Sequence, residues 1–95
     1  MGPAREILLT TLDDRALDLI HASLIQISGK VKSTRKGRAW DVWINDHPFH
    51  IEADMNSMTI TLSAGCNQSA DHPWVEKITS VLKQTLNDYV VAPES

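Results

Sequence analysis

The chain reads as an α+β two-layer sandwich: a mainly antiparallel meander sheet with helices on one face, in the order β-α-β-β-β-β-α. Three observations predict it. From Leu24 to Ala64, apolar and polar residues alternate in successive runs separated by turn residues, the period-two signature of half-buried strands. From Trp74 to Tyr89, apolar residues recur at i, i+3 and i+4, as on a helix with one docked face. A shorter helical stripe with an acidic start precedes the strands. Strands with one apolar side and helices with one apolar stripe bury both by stacking as two layers.

Each element follows in turn. "REILLTTL" sets Ile7, Leu8, Leu9 and Leu12 between Pro3 and Asp13–Asp14, a short apolar run that predicts a first buried strand. Asp13 is the expected N-cap of a helix through about Ala22, because its carboxylate can accept from free backbone amides at the positive end of the helix dipole. Ala16, Leu17, Ile20 and Leu24 form its stripe. The period then changes, with Ile25, Ile27 and Val31 facing inward and Gln26, Ser28, Lys30 and Lys32 outward. "STRKG" supplies a turn in which Gly37 takes positive φ, and "RAWDVWIN" completes a hairpin with Trp40, Val42 and Ile44 inward. Asn45 to Pro48 reads as the next turn, since Pro48 has no N–H for a ladder. "FHIEAD" follows with Phe49, Ile51 and Ala53 inward. "MTITLSA" follows with Met58, Ile60, Leu62 and Ala64 inward and Thr59, Thr61 and Ser63 outward. "GCNQSADHP" is a loop that ends with Asp71 as expected cap and Pro73 in the first turn of the last helix. Trp74, Val75, Ile78, Val81, Leu82, Leu86 and Tyr89 are its docked face, and "APES" is a frayed tail.

Ninety-five residues make one small domain, 1–95, with 1–4 and 92–95 as flexible ends. Apolar content of 42% with 22% charged residues is globular composition rather than that of a disordered chain. A net charge of −3 argues against a surface devoted as a whole to nucleic acid or anionic lipid. A lone cysteine, Cys66, rules out an intramolecular disulfide framework, and the N-terminal apolar run is too short for a membrane span and lacks the layout of a signal peptide. The expected location is the cytoplasm.

The stretch "HPFHIEAD" concentrates titratable residues. In a strand His50, Glu52 and Asp54 share one face, whereas His47, three positions from His50, does not join them. A metal or small-ligand site could draw on His50, Glu52 and Asp54 with Cys66 and His72, but the chain has no CxxC, HExxH or comparable framework. Solvated polar residues on a sheet face are the simpler explanation. No glycine-rich phosphate loop or nucleophile elbow is present, and an open sheet offers no pocket, so neither catalytic residues nor a cofactor are expected.

Two surfaces stand out. If Trp40, Val42 and Ile44 face the core, Trp43 lies with Asp41, His50, Glu52, Thr59 and Thr61 on the face the helices leave free. A large aromatic among polar residues is a suitable anchor for a protein partner or a second copy of the chain, although local packing across the sheet accounts for it equally well. The basic run of Lys30, Lys32, Arg35, Lys36 and Arg38 beside Trp40 and Trp43 suits nucleic acid as the alternative. Against that, lysines also guard sheet edges and the rest of the chain is acidic. The expectation is a non-enzymatic protein-interaction module, of adaptor, regulator or inhibitor type, with no membrane partner.

Overall fold

A computed structural model describes residues 5–64 and 73–90. Along them run β1 (Arg5–Leu8), α1 (Asp14–Ile27), β2 (Lys30–Thr34), β3 (Ala39–Ile44), β4 (His47–Asp54), β5 (Thr59–Ala64) and α2 (Pro73–Thr85). The strands form one sheet in the order β1-β5-β4-β3-β2, with every neighbouring pair antiparallel. This is the α+β sandwich with the element order read from the sequence. β2 to β5 make the meander, while β1 returns beside β5, so the α1 connection carries the chain from one edge of the sheet to the other.

Turn chemistry fixes the register. Asn45 and Asp46 both take positive φ, 52° and 66°, and make the two-residue turn whose twist suits a hairpin. β4 therefore begins at His47, two residues before the expected strand, and Pro48 lies within it. Pro48 is tolerated because pairs alternate from the hydrogen-bonded Ile44–His47 pair, so Trp43 opposite Pro48 asks for no N–H from it. A 3-10 turn at Arg35–Gly37 joins β2 to β3, with Gly37 at φ 83° as expected.

The core lies between the sheet and the two helices. Trp40, Val42, Ile44, Phe49, Ile51, Ala53, Ile60 and Leu62 point inward and meet Ala16, Leu17, Ile20 and Leu24 of α1 and Val75, Ile78 and Leu82 of α2. Asp13 caps α1, its Oδ1 accepting from Ala16 N at 2.9 Å. The indole N–H of buried Trp40 donates to His21 Nδ1 at 3.1 Å. Beyond α2, Leu86 is buried and Tyr89 partly so, and the C-terminal segment is tied to the start of the chain by Thr10 N donating to Tyr89 O.

The sequence reading needs several corrections besides Pro48. α2 ends at Thr85, so Leu86 and Tyr89 follow the helix instead of lying on its docked face. Ser28, expected outward, is buried where it caps α1. α1 continues to Ile27 instead of ending near Ala22, since Ile20, Leu24 and Ile27 keep helical spacing against the core. Ile25 is consequently 52% exposed and not an inward strand residue. Leu8, expected in the buried run, is 53% exposed, because in a strand it must face opposite to buried Ile7 and Leu9. Met58 lies in the turn before β5 at φ 54° and is 40% exposed. Residues 65–72, with Cys66, His72 and the expected cap Asp71, and both chain ends fall outside the described residues. Among the described residues no helix is long and apolar enough to cross a membrane.

Candidate functional site

The face away from the helices is assembled in cross-strand rows. Lys30 of β2, Trp43 of β3 and Pro48 of β4 form the first, and Lys32, Asp41, His50 and Ser63 the second. Thr34, Ala39, Glu52, Thr61 and Glu6 make the third, and Asp54, Thr59 and Leu8 the fourth. The alternation of β3, β4 and β5 therefore places Trp43, Asp41, His50, Glu52, Thr59 and Thr61 on one continuous surface.

Trp43 is half-buried. Lys30 Nζ lies 4.7 Å from the centre of its ring, a cation–π contact, while Pro48 flanks it on the other side in the register. Behind it, Ser28 Oγ donates to Trp43 O, which pins the α1–β2 connection to β3. In the second row the Asp41 carboxylate lies 2.8 Å from His50 Nδ1. A carboxylate only accepts, so Nδ1 carries the proton and, in the neutral ring, Nε2 is left as an acceptor. Ser63 stands beyond His50, giving carboxylate, imidazole and hydroxyl in succession. Among the described residues no hydrogen bond joins Ser63 to His50, whose Nδ1 is engaged by Asp41.

The third row carries an ion pair between the hairpin tip and the sheet. Arg35 reaches from the hairpin tip to Glu52 Oε1 at 2.7 Å, although its side chain is 70% exposed. Arg35 and Lys36 both hold positive φ, 52° and 59°, an uncommon conformation for residues with a side chain. Ala39, between Thr34 and Glu52 in the register, has no exposed surface, and Thr59 is nearly buried. These two floor the face instead of projecting from it. At the end of the sheet, Arg35, Arg38, Glu52, Asp54, Asn56 and Thr61 help to line a polar cleft of about 480 Å³. One oxygen of Asp54 accepts from the backbone N–H groups of Asn56 at 2.9 Å and Ser57 at 3.2 Å. The Ser57 bond, and then that of Asn56, holds the Asp54 carboxyl below the usual carboxylate range.

The basic residues Lys30, Lys32, Arg35, Lys36 and Arg38 are all exposed and follow β2 and the hairpin tip. They are not one free cationic patch, because Arg35 is paired with Glu52 and Lys30 covers Trp43. Among the described residues no three His, Cys, Asp or Glu side chains converge as a metal-binding group. His50 and Glu52 do not pair with each other; their partners are Asp41 and Arg35. Sequence reasoning missed the Lys30–Trp43 stack and the cleft. The stack was legible only with the register, which sets Lys30 opposite Trp43, and the cleft depends on the shape of the hairpin tip. No protein family, curated protein or solved structure matches the chain.

Proposed function

We propose that the protein is a non-enzymatic interaction module of the cytoplasm that binds a protein partner through the helix-free sheet face. The observation that carries the reading is the joining of Trp43, Asp41, His50, Glu52, Thr59 and Thr61 into one surface on three central strands. Trp43 supplies apolar area from a side chain already held by Lys30, so little rotamer freedom remains to be lost on binding. His50 is oriented by Asp41 and Glu52 by Arg35, which gives the surface fixed donors and acceptors around the ring. Rigid strands position such groups better than loops do.

The test compares the native protein with a folded Trp43→Ser, His50→Ala variant as baits in a lysate. A partner held at moderate salt by the native chain and lost by the variant supports the reading. Equal recovery by both removes it. The alternative reading, nucleic-acid binding through residues 30–38, is favoured by the exposure of all five cations. It expects affinity for a single-stranded oligonucleotide that falls steeply with added salt.

A further inference from the structure

The open edge of the sheet at β2, beside the face described above, combines three features. The first is unpaired backbone. β2 ends the strand order, and the alternation that starts at the Ile44–His47 pair directs the main-chain groups of Trp43, Asp41 and Ala39 at β2. Lys30, Lys32 and Thr34 answer them, so the N–H and C=O groups of Val31 and Ser33 point away from the sheet. Among the described residues no backbone bond outside the ladder engages either one. The edge has neither a proline nor a bulge, since its register with β3 runs unbroken through five pairs.

The second feature is charge. Residues 30–38 hold five of the nine Lys and Arg of the chain and no Asp or Glu, within a protein of net charge −3. Lys30 and Lys32 lie at i and i+2, on the same side of the edge. The third is apolar surface on the opposite side. Ser23 Oγ bonds Thr85 Oγ1 at 2.9 Å, which fixes the side of α1 turned toward α2. At 100° per residue Ile25 lies about 200° round the helix from Ser23, on the flank away from α2. α1 packs on β2 and β3 while α2 packs on β1 and β5, so that flank lies toward the β2 edge, where Ile25 is 52% exposed.

We propose that the β2 edge accepts an extended peptide strand carrying a carboxylate–aliphatic–carboxylate triplet. The main chain of the peptide pairs with Val31 and Ser33. Its two carboxylates stand opposite Lys30 and Lys32 on the helix-free side, and the aliphatic residue between them, opposite Val31, turns toward Val31 and Ile25. A second copy of β2 does not fit this position, because it would set lysines against lysines.

The test is titration of the isotope-labelled protein with acetylated, amidated Thr-Glu-Val-Glu-Thr, followed by amide shifts and hydrogen exchange. Saturable shifts centred on β2, with slowed exchange at Val31 and Ser33, are expected. Lys30→Glu with Lys32→Glu weakens binding roughly tenfold or more, the size set by losing two exposed ion pairs and adding repulsion. Ile25→Ser weakens it as well, while the Trp43→Ser, His50→Ala protein retains it, so this inference and the face reading fail separately. A peptide with lysines in place of its glutamates tests the charge requirement without altering the protein. Equal binding of the scrambled sequence Thr-Val-Glu-Glu-Thr, shifts without protection at Val31 and Ser33, or tighter binding of an oligonucleotide than of the peptide through the same lysines would each overturn the proposal.

Discussion

His21 shows how a single residue holds the core in place. Trp40 is the largest fully buried side chain, and its indole N–H finds its acceptor in the Nδ1 of His21, on the first helix. Removing the acceptor leaves that donor without its protein partner. His21→Ala should therefore lower stability by about 1–3 kcal/mol in urea unfolding, and in a Trp40→Phe background it should cost much less. Equal costs in the two backgrounds would assign the loss to His21 packing instead. Asp54 offers a test on the surface. Because two backbone N–H groups hold its carboxylate, the folded protein keeps it ionised to lower pH than the unfolded chain does. Its contribution is thus in place at neutral pH and is lost as pH falls through the folded value. A side-chain NMR titration should find its midpoint below that of an ordinary aspartate, and a midpoint at or above the ordinary value would contradict the Asx-type turn.

At the scale of elements, the boundaries show which signals a sequence carries and which it withholds. The strands of the meander were legible because each buries alternate residues, and Trp40, Val42, Ile44, Phe49, Ile51, Ile60 and Leu62 all lie inward as their spacing requires. The end of α1 was not, because Leu24, Ile25 and Ile27 satisfy a helical and an alternating pattern at once over so short a span. Packing decides the case: Leu24 and Ile27 face α2 and the sheet, Ile25 is left out, and Ser28 turns the chain with its hydroxyl donating to Trp43 O and accepting from Lys30 N. Met58 illustrates the converse, an apolar residue whose position in the alternation is overruled by the turn. Its φ of 54° is unfavourable for a side chain, and its exposure means little packing is at stake. Met58→Gly should raise stability by about 1 kcal/mol, read as a higher urea midpoint with unchanged slope. A lower midpoint would show that the methionine contributes more through packing than its backbone costs.

Seen as a whole, the molecule divides its work between two layers. The helices and the inner sheet face account for nearly all the buried apolar surface, which frees the outer face from any role in the core. That division explains why the candidate site was partly readable: once Trp40, Val42 and Ile44 are inward, Trp43 and Asp41 must be outward, and the same parity places His50, Glu52, Thr59 and Thr61. It could not reveal that Lys30 stacks on Trp43 or that Arg35 holds Glu52, since both contacts cross between strands and depend on register and on the hairpin tip. On the proposed function, partners meet the protein on this outer face and not on its helical layer. A photoreactive residue placed either at Thr61, on the face, or at Ser80, exposed on α2, with crosslinking followed in the cell, separates the two layers. A discrete crosslinked protein is expected from position 61 and none from position 80. Crosslinking from position 80 with none from position 61 would contradict the proposed function.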